Sequence, residues 1–287
     1  MRLSPRHPRY ASLRVRAALA DASRSGLVVP EGLIAHGRGE AFDYLLGERT
    51  NASARRAERL AAGWLRAARH PVVSVNGNVA ALAADGIARL VRARPGLLVE
   101  VNLFHRTPER VRAVARALRR AGVAHVYGVR AKARIPGLPS DRALVDRRGI
   151  YGADLCLVPL EDGDRTEALR ALGKRVISVD LNPLSRTNQR ADLPIVDEIS
   201  RALAHLATDV AQSRVPVGSG DFAGVDRGKL LAAALRSIER NLKRAAGRAR
   251  SPRPRPRARS SRRPAPRTTG RSRRTPGPGS RRYRSPR

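Results

Sequence analysis

The central part of the chain alternates short apolar runs with longer amphipathic segments. The apolar runs have the length of buried strands, and the segments between them have the periodicity of helices. This alternation predicts an α/β layered fold, a parallel sheet flanked by helices whose ligands bind at the carboxyl ends of the strands. The predicted strands are Pro71 to Val75, Leu97 to Leu103, His125 to Val129, Ala153 to Leu160 and Arg175 to Asp180.

Helical periodicity extends beyond the sheet region, and it divides the chain into four parts. Residues 1–70 form a helical segment that caps the core, residues 71–215 form the core, residues 216–247 form a C-terminal helix region, and residues 248–287 form a tail. The last helix is expected to dock on the body or to serve a dimer. The predicted helices are Pro8 to Ser25, one from near Gly39 towards Ala68, Val79 to Ala93, Thr107 to Ala121, Arg165 to Leu172 with Asp164 as its cap, and Lys229 to Leu242.

The charge is uneven along the chain. The formal net charge is +34, and the tail from Arg248 to Arg287 contains sixteen arginines and no acidic residue. Proline, glycine, serine and arginine without apolar spacing predict disorder. Two interpretations of the tail remain open: a polycationic arm that holds nucleic acid non-specifically, or a solvated appendage without a role.

Composition excludes several other classes of protein. The single cysteine, Cys156, lies in an apolar run, which predicts an inert core residue and excludes a disulfide framework. No apolar stretch has the length of a membrane helix, and the start lacks the apolar core of a signal peptide, so we expect a cytoplasmic protein without a membrane partner. Aromatic residues make up only 3% of the chain, which argues against base-stacking surfaces for single strands.

The segment His36-Gly37-Arg38-Gly39 places two glycines around an arginine at a predicted helix start. Free amides at a helix N-terminus attract anions, and an arginine can bind two phosphate oxygens at once. The alternative is a glycine-containing turn with a solvated Arg38. No phosphate-binding loop or dinucleotide fingerprint occurs at a strand end.

Polar residues follow four of the predicted strands. Asn76 and Asn78 follow the first, Asn102, His105 and Arg106 the second, Asp162 and Asp164 the fourth, and Asp180 to Thr187 the fifth. Carboxylates at such an edge can hold Mg²⁺ on a polyphosphate or receive an ammonium group, although Asp164 can equally cap a helix. No nucleophile arrangement and no zinc spacing is present, so the pattern favours anion binding.

Several longer blocks occur together and in order: HPRY at His7, GLIAHGRGEAFDYLLGERT at Gly32, VSVNGNVAAL at Val73, VEVNLFHRT at Val99, ARIPGL at Ala133, VPLEDGDRTEAL at Val158 and DLNPLSRT at Asp180. With these blocks, about residues 7 to 245 resemble the archaeal 4-phosphopantoate–β-alanine ligases, also called phosphopantothenate synthetases. The resemblance implies a Rossmann-like core, a homodimer, and an ATP-dependent ligase of coenzyme A biosynthesis that uses Mg²⁺ and forms AMP and diphosphate through an acyl-adenylate.

The resemblance also implies where ATP binds. We expect Arg38 and Arg186 to act on the ATP phosphates as catalytic residues, with Arg16 nearby, and Asp180 and Asn182 to hold the nucleoside. The family more often has asparagine where this chain has Glu198. The implied ATP contacts are Arg16, Arg38, Asp180, Leu181, Asn182, Arg186, Thr187, Glu198 and Ile199.

Residues for the organic substrates are predicted from chemistry, because a phosphorylated carboxylic acid needs several donors. We expect Asp162 or Asp164 to hold Mg²⁺ or the β-alanine ammonium group. The predicted ligands of 4-phosphopantoate are Asn76, Asn78, Arg106, Lys132 and Arg134.

Two other functions remain open at this stage. A nucleic-acid-binding protein would use the net charge, and it would bind through the basic tail with a steep salt dependence. A nicotinamide-dependent dehydrogenase would use the same kind of sheet, but the glycines of the phosphate fingerprint are missing.

Overall fold

A computed structural model of the chain describes Ser4, Arg6, His7 and residues 9–160 and 163–250. The tail predicted to be disordered, residues 248–287, therefore lies outside the described residues except for its first three positions. Residues up to Arg248 belong to one compact unit. Among the described residues, no helix is long and apolar enough to cross a membrane.

The chain folds into seven strands and nine α-helices in its described part. The strands are β1 (Pro71–Val75), β2 (Leu98–Val101), β3 (Ala133–Arg134), β4 (Leu144–Val145), β5 (Leu155–Pro159), β6 (Arg175–Val179) and β7 (Leu193–Ile195). The helices are α1 (Tyr10–Arg24), α2 (Pro30–Leu46), α3 (Ala52–Ala67), α4 (Gly77–Ala93), α5 (Pro108–Arg120), α6 (Gly163–Ala171), α7 (Arg186–Arg190), α8 (Ile199–Gln212) and α9 (Arg227–Arg250).

Five strands form one parallel sheet in the order β2-β1-β5-β6-β7, and β3 pairs with β4 in a separate antiparallel hairpin. The predicted Rossmann-like α/β fold is confirmed. After β1 the chain first adds β2 on one side of it, and later adds β5, β6 and β7 on the other side. The connections therefore diverge between the neighbouring strands β1 and β5. This point is where open α/β sheets bind ligands, at the carboxyl ends of the strands.

The sheet has a core on each face, because successive side chains of a buried strand point to opposite sides. Val73 of β1 and Leu157 of β5 belong to the larger core, which is completed by apolar residues of α3, α4, α5 and α8. Val72 and Cys156 point to the other side, where the β3–β4 hairpin and Leu169 of α6 cover them. Burial raises the pKa of the Cys156 thiol to about 12, so this cysteine stays protonated, as expected of a core residue.

Two predicted elements are wrong. The run His125 to Val129 is not a strand: only Tyr127 bridges to Glu100, and the chain turns away at Gly128, whose φ is +88°. A Cβ at Gly128 would lie 2.3 Å from the Val101 carbonyl oxygen, so only glycine can make this close approach.

The second error is the helix expected from near Gly39 towards Ala68. The structure has α2 and α3 there, because Gly47 ends α2 in the left-handed conformation and the Asn51 side chain accepts a hydrogen bond from Ala54 N to begin α3. The final helix is longer than the predicted Lys229 to Leu242.

A buried carboxyl group lies beside the central strands. Glu100 of β2 is fully buried, and its two oxygens accept hydrogen bonds from Asp146 N at 2.8 Å and Ile150 N at 2.6 Å. Burial raises the pKa of Glu100 to about 7, although both hydrogen bonds and the charge of Arg165 oppose this rise.

This pKa predicts how stability depends on pH. The pKa is higher in the folded chain than the unfolded value of 4.5, so folding takes up a proton between about pH 4.5 and 7. The Glu100 contribution to the free energy of unfolding is therefore present at low pH and falls by about 3 kcal/mol as pH rises through this window. Urea unfolding of the wild type and of Glu100→Gln at pH 5, 6, 7 and 8 measures the effect, because glutamine does not titrate. Parallel pH profiles of the two proteins would contradict the prediction.

Candidate functional site

The carboxyl edge of the sheet brings together the polar loops that the sequence predicted as a site. Asn76 follows β1, Asn102 follows β2, Leu160 follows β5 and Asp180 follows β6. Since β1 and β5 are neighbours, the Asn76 and Leu160 loops meet at the point where the connections diverge.

Asn76 holds two of these loops together. Its Oδ1 accepts a hydrogen bond from Val79 N and begins α4, and its Nδ2 donates to the Leu160 carbonyl at 3.0 Å. Leu160 has a φ of 52°, a left-handed conformation that is costly for a leucine and that turns the chain away from β5. The structure thus uses both polar groups of Asn76 for positioning, and the predicted contact with substrate stays a prediction.

Asn78 connects this edge to the N-terminal helices. Its Nδ2 donates to the Gly32 carbonyl of α2 at 2.7 Å. Gly77 approaches the preceding loop even more closely, because a Cβ there would lie 2.3 Å from the Leu27 carbonyl oxygen. The predicted Asn76-Gly77-Asn78 motif therefore fixes α2 over the sheet edge.

The loop after β6 is organised by a residue that sequence analysis did not single out. Asn188 is fully buried, and its Nδ2 donates to the carbonyls of Asp180 at 3.0 Å and Asn182 at 2.9 Å. Its Oδ1 accepts a hydrogen bond from Ser178 at 2.7 Å. Ser185 caps α7 by accepting from Asn188 N. This network sets the positions of Asp180 and Asn182, and burial raises the pKa of Asp180.

The starts of α6 and α7 are packed against each other. A Cβ at Gly163 would lie 2.3 Å from Cβ of Arg186, so a larger residue cannot fit there without a shift. Asp164 forms an ion pair with Arg186, and both side chains are exposed. Thr187 is buried. Asp162, the other predicted acidic ligand, lies outside the described residues.

Helix α2 places Arg38 near the loop after β6. Gly39 faces Leu181, with 3.8 Å between the position of its Cβ and Leu181 Cδ1, and the positive charge of Arg38 lowers the pKa of Asp180 against the larger effect of burial. The expected helix start at this segment is wrong. Because α2 begins at Pro30, residues 37–39 lie in the helix interior, where backbone amides bond to the preceding turn and cannot bind an anion.

Arg16 is held beside the same helix by two residues one turn apart. Its Nε donates to the carboxylate of Glu40 at 3.1 Å and 3.2 Å, and its Nη2 donates to the Tyr44 hydroxyl at 3.3 Å. Burial alone would raise the pKa of Glu40, but the hydrogen bonds from Arg16 and Tyr44 outweigh it and hold the pKa below its usual value. Glu40 and Tyr44 were missed, although their spacing of four residues would have placed them on one face of a correctly bounded helix.

His36 lies on this face of α2 as well, near the start of α8. Its Nε2 is buried and has no hydrogen-bond partner among the residues that the structure describes. Burial lowers the pKa of the ring, although the charges of Glu40 and Glu198 oppose this. Glu198 caps α8 by accepting hydrogen bonds from Ser200 N at 2.9 Å and Arg201 N at 3.0 Å. Glu198 and the buried Ile199 are thus close to α2. The carboxylate of Glu198 already accepts the hydrogen bonds that cap α8, and a contact with ATP would compete with these bonds.

The basic side chains predicted to bind 4-phosphopantoate come from different parts of the chain after β2. Arg106 donates to the Gly128 carbonyl at 2.5 Å through Nη2, while its buried Nη1 finds no hydrogen-bond partner in the described part of the chain. Lys132 and Arg134 are exposed, the latter in β3. Asn102 supports this region by donating to the carbonyls of Arg142 at 3.0 Å and Leu144 at 3.3 Å.

The arrangement as a whole favours an anionic ligand over covalent catalysis. Arg38 lies near the fixed loop from Asp180 to Asn182, and Arg186 begins α7 just after this loop. Arg16 of α1 is paired with Glu40 of the same helix α2 that carries Arg38. Guanidinium groups bind phosphates in bidentate fashion, and a carboxylate at a strand end suits ribose hydroxyls. The exposed carboxylate of Asp164 is paired with Arg186, and it would have to share this pair to hold a cation that accompanies phosphates.

Comparison with known proteins assigns this arrangement to a family. Residues 53–241 match the family model of phosphopantothenate/pantothenate synthetase, which is more than half of the chain. The chain belongs to this family. The resemblance found in the sequence is thereby confirmed, and the matched synthetase region runs from the start of α3 into α9.

Individual synthetases of this family are also closely similar to the chain. The 4-phosphopantoate–β-alanine ligase of Methanospirillum hungatei is 57% identical over 201 residues, which are 70% of this chain and 82% of that protein. The ligase of the same name from Thermococcus kodakarensis is 48% identical over 247 residues, covering 84% of this chain and 93% of the relative. The one from Methanosarcina mazei is 52% identical over 201 residues, with coverage of 70% and 79%.

Proposed function

We propose that the chain is an ATP-dependent ligase of coenzyme A biosynthesis. It joins 4-phosphopantoate and β-alanine to give 4'-phosphopantothenate, with ATP converted to AMP and diphosphate. The family and the names of the relatives support this function. In the structure, the single observation that carries it is the approach of Arg38 on α2 to the Asp180 loop after β6, where a nucleotide would find phosphate and ribose ligands together.

The mechanism requires two substitutions. The carboxylate of 4-phosphopantoate attacks the α-phosphorus of ATP, the bond to the bridging oxygen breaks, and diphosphate leaves. The neutral amine of β-alanine then attacks the acyl carbon of the adenylate, AMP leaves, and the amine loses a proton. No bond to the protein is formed in either step, so the residues act by positioning and by neutralising charge.

The proposed roles of individual residues are supported by where these residues lie. Arg38 and Arg186 hold ATP phosphates as catalytic residues, and Arg16 of α1, which is paired with Glu40 of α2, is a further ATP contact. Asp180 and Asn182 hold the nucleoside in the geometry set by Asn188. The further proposed ATP contacts are Leu181, Thr187, Glu198 and Ile199.

The phosphate end of the nucleotide needs further positive charge. Mg²⁺ commonly binds through one or two carboxylates together with substrate phosphates, and the exposed Asp164 beside Arg186 fits that role. When bound there, it would supply charge neutralisation on the phosphates. Asn76, Asn78, Arg106, Lys132 and Arg134 are proposed for 4-phosphopantoate, and Asp164 is the alternative ligand for the β-alanine ammonium group.

We also propose a homodimer that works in the cytoplasm. The exposed Leu235 and Leu242 on α9 support a contact between copies, because apolar side chains on a helix surface favour association. The single cysteine supports a reducing compartment. Nucleic-acid binding would be confined to the tail, and the family match favours the enzyme over polyanion binding as the main function.

An end-point assay by mass spectrometry tests the reaction. Full-length protein and a version that ends at Arg250, the last residue of α9, are incubated with ATP, Mg²⁺, 4-phosphopantoate and β-alanine. We expect AMP and phosphopantothenate in equal amounts, formed only when both organic substrates are present, and the same turnover for both proteins. ADP instead of AMP would contradict the adenylate. No product from folded protein would contradict the ligase.

A further inference from the structure

A second cluster of polar side chains lies between α3 and α8. Glu58 of α3, Asp197 just before α8 and His205 of α8 form this cluster, which we call the carboxylate–histidine cluster. One ligand-type atom from each residue lies within 4.8 Å of the other two. Glu58 is fully buried, Asp197 is 2% exposed and the His205 side chain is 36% exposed, so the cluster is enclosed on the inside and open towards solvent at the imidazole.

Two buried atoms of the cluster lack hydrogen-bond partners. Glu58 Oε1 and His205 Nδ1 are both inaccessible to solvent, and neither makes a hydrogen bond within the described structure when both carboxyl groups are ionised; a proton on Glu58 would join it to Asp197. His205 Nδ1 lies 2.8 Å from Glu58 Oε2, but the pair lacks hydrogen-bond geometry. A buried polar atom without a partner costs free energy, and a bound ion is one way in which proteins satisfy it.

The charges joined to the cluster do not balance. Arg55 pairs with Glu58 at 2.9 Å and with Asp209 at 2.7 Å, and Arg201 pairs with Asp197 at 2.8 Å and with Asp43 at 2.6 Å. Four carboxylates therefore share two guanidinium groups. Burial and the nearby charge of Asp197 raise the pKa of Glu58 to about 8, so at neutral pH one proton lowers this excess of negative charge. A divalent cation would displace that proton and neutralise the two negative charges that then remain.

We propose that the carboxylate–histidine cluster binds one divalent transition-metal cation, such as Zn²⁺ or Mn²⁺. An imidazole with two carboxylates is a ligand set for such ions, and it differs from the oxygen ligands that Mg²⁺ prefers. Because the bound ion joins α3 to α8, it stabilises the packing of these two helices.

The distances show how far the ligand atoms must move to hold an ion. Ligand atoms about 2.0–2.2 Å from a tetrahedral zinc ion are about 3.3–3.6 Å from each other. His205 Nδ1 and Glu58 Oε2 already lie closer than this, at 2.8 Å, and all three ligand atoms lie within 4.8 Å. A tetrahedral ion therefore requires His205 Nδ1 and Glu58 Oε2 to move apart by about 0.5–0.8 Å.

Metal binding can be tested without any assay of turnover. Full-length protein is stripped with EDTA, desalted and titrated with ZnCl₂ or MnCl₂ by calorimetry, and the bound metal is counted by mass spectrometry after gel filtration. We expect one equivalent per chain, and a rise in melting temperature on addition of the metal. His205→Ala is expected to weaken binding by at least 10-fold and to abolish the rise. His125→Ala, which removes an exposed histidine elsewhere, is the matched control and should keep both.

A second variant guards against a folding defect. His205 is partly exposed, so its replacement should leave the circular-dichroism spectrum unchanged, and Glu58→Gln keeps the shape of the side chain while removing a charged ligand. Wild-type protein that binds no equivalent of either metal would overturn the proposal. Equal affinity in the wild type and in folded His205→Ala and Glu58→Gln proteins would also overturn it, because the metal would then be bound elsewhere.

Discussion

Arg38→Ala is expected to lower turnover by a factor on the order of 10²–10³, the usual loss when one positioned donor to a developing oxyanion is removed. Arg38 projects from the interior of α2 near the Asp180 loop, as its effect on the pKa of Asp180 indicates. The variant loses the proposed phosphate ligand but no buried side chain, because Arg38 is exposed. Stability should therefore be unchanged, and steady-state kinetics together with ATP titration measure the effect.

Arg112→Ala provides the matched control for Arg38. Arg112 is also an exposed helical arginine, and its partner is Glu109 on the same turn of α5. We expect its turnover and ATP affinity to equal those of the wild type. If Arg38→Ala kept both quantities near wild type as well, the phosphate role of Arg38 would be wrong.

Gly163→Ala is expected to have the second large effect, a loss of turnover of about 10- to 100-fold. The new Cβ would lie 2.3 Å from Arg186 Cβ and 2.9 Å from the Arg186 carbonyl carbon, so α6 and α7 have to move apart. A displacement of about 1 Å at a positioned catalytic group costs about 10²-fold in rate. Overpacking should also lower the free energy of unfolding by about 1–3 kcal/mol. Kinetics and urea unfolding measure the two effects separately.

The control for this variant is Gly63→Ala. Gly63 lies inside α3, and a Cβ there would meet Val215 at an ordinary contact distance of 3.6 Å. We expect unchanged turnover and a stability gain of up to about 1 kcal/mol, because alanine is the better helix former. Wild-type turnover of Gly163→Ala would show that the packing of Arg186 does not limit catalysis.

Local sequence signals predicted most of the sheet correctly, and failures of prediction have identifiable causes. Strand β7 was missed because Pro194 interrupts an apolar run of three residues; the proline is tolerated because β7 is an edge strand. Helix α8 was missed as well. The division between α2 and α3 was readable, since Gly47 and Asn51 are standard stop and start residues, but the long helical periodicity concealed it.

The sequence by itself determined the α/β class, the polar residues at the strand ends and the family resemblance, because strand length, helical period and residue order are local properties of the chain. Only the tertiary structure decided that the interior of α2 lies over the loop after β6, that Asn188 holds this loop, and that Glu58 meets Asp197 and His205. These contacts join residues far apart in the chain. Their distances depend on how helices pack on a twisted sheet, which no local pattern encodes.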